Sequence, residues 1–244
     1  MKFNSLFNIT ILPFTVAALS LIGFSNQAKA FILSGSASGI WGEPTPGTIN
    51  TEPVYTGVGT NAFTWGDPTL FENAFSNKLV FGGSYFSTHT GSLFKIGDLT
   101  YHNGTVLYGT SVESVPLKLS LSFDQPTEVD NNFVYEFSLQ NTPNLSEDPK
   151  LNADSVFVAN NNDKFSFIYG GDEYTLSFSG FSQDNGQTTF NELQVLEGDK
   201  TTAAIFAKID KVPEYTSVPE PGFPVALSLV GIYFISRRKA KKTK

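Results

Sequence analysis

VPLKLSLSF at Val115–Phe123 and FVYEFSL at Phe133–Leu139, joined by DQPTEVDNN, decide the fold. In the first run Val115, Leu117, Leu119, Leu121 and Phe123 fall on one side, and Lys118, Ser120 and Ser122 on the other. In the second, Phe133, Tyr135, Phe137 and Leu139 alternate with Val134, Glu136 and Ser138. A period of two is the pattern of a strand with one buried face. The connection is rich in Asp, Asn and Pro, which favour turns. The two runs are therefore expected to be adjacent antiparallel strands.

Outward from this pair the pattern repeats. AFTWG at Ala62–Gly66, KLVFGG at Lys78–Gly83, FKIGDLTY at Phe94–Tyr101 and SVFVA at Ser155–Ala159 are short β-rich runs bounded by turn residues. KFSFIYG at Lys164–Gly170, EYTLSFSGF at Glu173–Phe181 and AAIFAKI at Ala203–Ile209 continue the series. No convincing helical stretch interrupts them. About ten strands without βαβ alternation predict an all-β, two-sheet β-sandwich of jelly-roll-like form. The absence of a repeat of roughly 20 to 50 residues argues against a propeller or solenoid.

Composition agrees. The chain of 244 residues holds 23 Phe, 21 Gly, one Met and only 16% charged residues, which suits strands and turns better than helices. It has no cysteine, which excludes disulfides, thiolate metal sites and cysteine nucleophiles. His89 and His102 are too few for a histidine-rich metal centre. Half of the 16 bases lie in the two terminal segments; between Phe31 and Ser217, 8 bases face 22 acids, a net charge of −14. A domain so charged repels phosphate backbones, so nucleic acid is not an expected partner.

The ends read as addresses. Residues 1–30 carry an early lysine, an apolar stretch from Ile9 to Phe24 and the small-residue ending Ala28-Lys29-Ala30, the layout of a signal peptide cut after Ala30. Residues 31–212 form the β domain, and 213–221 a linker containing Pro219-Glu220-Pro221. Gly222 to Ser236 is an uncharged run of fifteen residues, expected to be a single hydrophobic transmembrane helix. At 1.5 Å per residue it reaches only about 22 Å, against about 30 Å for a bilayer core. It is short for a lasting anchor and long enough to pause export. Arg237, Arg238 and Lys239 open the basic tail 237–244, which stays cytoplasmic by the positive-inside rule. The domain would then lie beyond the inner membrane.

Val218-Pro219-Glu220-Pro221, the apolar run and Arg237-Arg238 together resemble a PEP-CTERM sorting signal. That resemblance implies an exosortase-like processing enzyme as partner, membrane attachment before processing, and delivery to the envelope, cell surface or extracellular matrix. The two prolines keep Glu220 extended and open to such an enzyme. The domain resembles the choice-of-anchor K family through SGIWGEPTPG at Ser38–Gly47, GVGTNAFTWG at Gly57–Gly66, IGDLTYHNGT at Ile96–Thr105, NTPNLSEDPKLNADSV at Asn141–Val156 and Glu173–Phe181. This likeness implies a bacterial extracellular β-sandwich and supplies no catalytic residue.

Among chemical motifs, GSASG at Gly35–Gly39 has Ala37 where a nucleophile elbow needs serine, and GVGTNA lacks the third glycine of a dinucleotide loop. The chain is not expected to be an enzyme. Its expected role is structural or interactive, with a carbohydrate-binding module as the alternative and a polysaccharide hydrolase behind it. For carbohydrate, Trp41, Trp65 and Tyr101, with Tyr85 and Tyr108, are candidate rings for stacking on extracellular polysaccharide; the other reading places the tryptophans in the core. For calcium, Asp130, Asp154 and Asp163 lie in Asn- and Asp-rich stretches that offer oxygen ligands. The same stretches make good hairpin turns. No cofactor is otherwise implied.

Overall fold

The computed structural model describes residues 32–124, 129–159 and 163–213. The signal peptide, Pro219, Glu220, Pro221, the apolar run and Arg237, Arg238 and Lys239 lie outside the described residues, as does the Asp130 side chain. Among the described residues thirteen strands occur in order: β1 (Ile32–Trp41), β2 (Tyr55–Thr56), β3 (Ala62–Trp65), β4 (Asn77–Gly83), β5 (Tyr85–His89), β6 (Leu93–His102), β7 (Ser114–Phe123), β8 (Val129–Gln140), β9 (Asp154–Val158), β10 (Lys164–Tyr169), β11 (Asp172–Ser182), β12 (Glu192–Val195) and β13 (Lys200–Lys211). A single 3-10 turn, Pro149–Asn152, is the only helical element among the described residues, and no helix there is long and apolar enough to cross a membrane.

The strands form two antiparallel sheets, one in the order β12-β9-β8-β7-β1-β5 and the other β10-β11-β13-β6-β4-β3-β2. They pack into a sandwich-like fold. β7 and β8 pair as the alternation requires, with Val115 opposite Phe137, Leu117 opposite Tyr135 and Leu119 opposite Phe133. All five inward residues of β7 are buried. The ladder runs further than the turn residues suggest, because Asn131 pairs with Leu121 and Asn132 with Ser120. Those asparagines belong to a strand, and Asn132 accepts a hydrogen bond from the Ser120 hydroxyl.

Four strands carry no clear alternation in sequence. β1 is the instructive one: it lies between β7 and β5, and its GSASG segment is mid-strand. A Cβ on Gly35 would sit 2.1 Å from the Ser122 carbonyl oxygen, so the neighbouring backbone, rather than hydrophobicity, dictates that residue.

Aromatic rings join the two sheets. Trp41 on β1 meets Phe63 on β3 and packs edge-on to Phe137 on β8, with ring centroids 5.4 Å apart for the latter pair. Phe123 on β7 stacks on Phe167 of β10 at 5.4 Å. Along the second sheet Phe63, Trp65 and Tyr101 form a continuous stack, each step 5.7 Å. Each such pair adds about 0.5–1.5 kcal/mol beyond the burial of apolar area.

Candidate functional site

Loops at one end of the sandwich enclose a cleft of roughly 770 Å³. Its walls come from residues 48–50 after β1, Phe71 before β4, residues 104–113 between β6 and β7, the end of β8 with residues 141–144, Asp154 at the start of β9, and Glu197 after β12. The volume falls within the range of small-ligand sites, about 300–1,000 Å³.

The 104–113 segment is a fixed wall. Leu107 N–H donates to the Asp67 carbonyl at 2.8 Å, while the Gly109 and Thr110 carbonyls accept from Glu52 and Val54. The Thr110 hydroxyl closes the turn by donating to the Leu107 carbonyl at 2.7 Å. At the foot of this wall Gly104 is required by close approach, since a Cβ there would lie 1.9 Å from the Phe75 carbonyl oxygen. Its N–H donates to Asn77 Oδ1 at 2.9 Å. Asn103 Nδ2 donates to the Val195 carbonyl at 2.9 Å, and the Gly198 N–H donates to the Asn103 carbonyl, tying the turn that bears Glu197 to the same wall. Among the described residues Asn77 Nδ2 and Asn103 Oδ1 are buried without a partner.

The opposite wall centres on Asp154, only 3% exposed. Thr142 N–H donates to its Oδ1 at 2.6 Å, and the Thr142 hydroxyl lies 3.1 Å from the same atom. Burial pushes the Asp154 carboxyl up to about 6, and the Glu197 charge pushes the same way; the bonds from Thr142 and Tyr101 oppose them. Tyr101 is in turn held well above the usual phenol range by burial, then by the charges of Asp154 and Glu197. Glu197 Oε1 accepts from the Thr105 hydroxyl at 2.5 Å.

Glu113, Asp154 and Glu197 all line the cleft, and among the described residues no lysine, arginine or histidine does. Among the described residues the ion pairs are Lys95 with Asp98, Lys208 with Asp210 and Lys211 with Asp172, none of them at the cleft. The rim supplies apolar contact instead: Tyr108 is 86% exposed, with Phe71 and Ile49 also exposed. Asn50, Gln140, Asn141 and Asn144 add amides.

The sequence-derived ring platform is corrected by burial. Trp41, Trp65 and Tyr101 are at most 1% exposed, so none offers a free face to a sugar. They are large apolar residues at inward positions of β1, β3 and β6, where Trp41 meets Phe63 of the other sheet and Trp65 and Tyr101 stack along the second sheet. Trp41 Nε1 donates to the Asn61 carbonyl at 3.1 Å, whereas the Trp65 N–H has no partner among the described residues. Of the five aromatic candidates, Tyr85 and Tyr108 are exposed, and only Tyr108 lines the cleft.

The three aspartates do not form one calcium set. Asp154 is reached from the Gln140 end of β8, through the pairing of Gln140 with Ser155, whereas Asp130 lies at the other end of that strand. Ten residues of strand separate those ends by roughly 30 Å. Asp163, just before β10, acts electrostatically on Tyr135. Among the described residues no group of three or more acidic or histidine side chains is placed to hold a metal.

Glu197, Thr142 and Thr105 were not singled out by the sequence reading, because each is one polar residue in a separate loop. The sequence matches no protein-family model and no curated protein.

Proposed function

We propose that this chain is an exported interaction protein, displayed at a bacterial surface or in its extracellular matrix, that holds a segment of polysaccharide in the cleft beside Tyr108. The observation that carries the binding reading is the cleft itself: an exposed ring at the rim, amides and hydroxyls along the walls, and a volume of roughly 770 Å³. Exposed rings stack on the apolar faces of sugars while amides and hydroxyls pair with their hydroxyl groups. The finer reading of the fold as a jelly-roll-like sandwich suits such a role, with loops at one end of a rigid frame.

The export reading rests on the two ends of the sequence. Its support from the fold is positional: the first strand begins at Ile32, just after the Ala28-Lys29-Ala30 ending, and the last ends at Lys211, before the linker that carries Pro219-Glu220-Pro221. An exosortase-like enzyme would cut near that motif while Gly222–Ser236 pauses in the membrane. No catalytic role is assigned.

Mass spectrometry of the chain recovered from its cell tests the sorting: residues 1–30 and the basic tail should be missing, and recovery of Arg237 in the mature chain would reject it. An oligosaccharide array tests the cleft. Binding should weaken at least tenfold in Tyr108→Ala with the circular dichroism spectrum unchanged. An array without hits would reject the carbohydrate reading and leave the sorting result standing.

A further inference from the structure

The outer face of the second sheet carries a row of cations in a domain where acids far outnumber bases. Lys78 on β4, His102 on β6 and Lys200 on β13 lie on three adjacent strands, with His102 directly opposite each lysine. Leu79 and Tyr101, the next residues along β4 and β6, point into the core, so the row points outward. Strands stand about 4.8 Å apart, and the row spans roughly 10 Å. Among the described residues neither lysine has an ion pair: Asp199, which precedes Lys200, makes none with it, and Asp98, the acid on β6, pairs with Lys95. Burial holds His102 below its ordinary 6.5, and the charges of Lys200 and Lys78 push the same way. Like charges facing one another across strands cost stability. Here 8 bases stand against 22 acids between Phe31 and Ser217, yet two of the lysines flank a histidine and no carboxylate answers them.

We propose that this row is a second binding site, outside the cleft, for the carboxylates of a uronate-bearing polysaccharide. Ammonium and imidazolium N–H groups donate charge-assisted hydrogen bonds to carboxylates, and an anion removes the repulsion along the row. The choice of carbohydrate as the bearer rests on the reading of the cleft. His102 leads into the Gly104–Thr105 wall, and Lys200 follows the turn that bears Glu197, so the row adjoins that wall. Thr100 and Thr202 form the next outward pair, their hydroxyls bonded at 2.8 Å, and Thr64 lies opposite Lys78 on β3. Such hydroxyls both donate and accept, as sugar hydroxyls require. Other anionic partners fit less well. An acidic peptide that binds as an added strand needs a free edge, but β6 is paired on both sides. A membrane surface calls for apolar groups to insert, yet β4 and β13 expose no large apolar residue and β6 exposes only Leu93, at its far end. A phosphate backbone is repelled by the domain as a whole.

The test is calorimetric titration of the mature chain with hexamers of glucuronate and of glucose at pH 7. The glucuronate hexamer should bind at low salt and lose at least threefold in affinity at an ionic strength of about 0.15 M. Lys78→Gln combined with Lys200→Gln should weaken it at least tenfold with the circular dichroism spectrum unchanged. Lys118→Gln, on the outer face of the other sheet, should change it less than twofold. Saturation with the glucuronate hexamer should raise the pH at which His102 titrates, read from its imidazole NMR signals. Glucuronate binding that survives the double lysine variant would overturn the site. Binding lost in Tyr108→Ala and kept in the lysine variant would move the uronate into the cleft and overturn the row, with the cleft reading standing. Glucose binding without glucuronate binding would do the same. Failure of both hexamers would overturn the row, and the oligosaccharide array then decides the cleft separately. Capture by anionic lipid vesicles through the same two lysines, without hexamer binding, would overturn the carbohydrate assignment.

Discussion

Asp154 and Asp184 are both held by a threonine backbone N–H and nearby hydroxyls, yet one carboxyl titrates near 6 and the other near 2. Asp184 sits in the open turn after β11. It accepts from Thr188 N–H at 2.9 Å, from the Thr188 hydroxyl at 2.5 Å and from the Ser182 hydroxyl at 2.7 Å. Donors on the charged form, with water close by, make ionisation easy. Asp154 has comparable donors but lies at the buried floor of the cleft, with Glu197 repelling it. Burial there outweighs hydrogen bonding. One aspartate is a finished piece of loop structure; the other is charged only against resistance, as groups in binding and active sites often are.

The largest effect should come from removing what buries Asp154. Tyr101 stacks on Trp65 and is 1% exposed. Tyr101→Ala should destabilise the domain by roughly 3–5 kcal/mol, the usual loss for a large buried aromatic side chain, measured by urea unfolding. It should also bring the Asp154 carboxyl down towards its ordinary 3.8 as water replaces the ring, because burial is the largest cause of the rise and the lost Tyr101 bond the smallest cause opposing it, read by carboxyl NMR titration. A carboxyl that stays near 6 in a folded variant would show that burial is not what separates the two aspartates.

Next in size is the pH dependence carried by Asp154 itself. Its folded value, about 6, lies above the ordinary 3.8, so between these limits the folded state binds more protons than the unfolded chain. Stability is therefore greatest below about 4 and falls as pH rises to about 6. The difference is on the order of 3 kcal/mol by neutral pH. Asp154→Asn should lack this slope and be the more stable protein at pH 7, judged by urea midpoints at pH 4 and pH 7. Equal slopes in the two proteins would place the proton elsewhere.

The frame of this molecule was legible in the sequence and the cleft was not, for a physical reason. Val115 to Phe123 announces its strand because every second side chain must enter the core. β1 hides because Gly35 and Gly39 answer to contacts across the strands: a Cβ on the first would strike the Ser122 carbonyl, and one on the second the Phe81 ring. β2 and β12, with two and four residues, are too short for a period to show. At the cleft, Asp154 and Tyr108 were each visible, one as an oxygen donor and the other as an exposed ring, but separately. They are brought together by β6–β7 and β8–β9 loop geometry that no local pattern encodes. The WG pairs left both core packing and sugar stacking open, with core the better supported; inward positions on β1 and β3 bear the core reading out.

Asp184 provides the smallest and most discriminating variant. Its folded value, about 2, lies below the ordinary 3.8, so its contribution is fully present above about 4 and is lost as pH falls through about 2. Asp184→Asn keeps the size of the side chain and removes its charge. The variant should melt at a slightly lower temperature than the parent at pH 7, and the gap should close as the pH approaches 2. Paired with Asp154→Asn, it asks for slopes of opposite sign from the same substitution at two positions: stability gained at neutral pH in the cleft, stability lost in the turn. If thermal melts across pH 2 to 7 show both variants moving the same way, hydroxyl and backbone donors dominate both sites, and burial does not set the two aspartates apart.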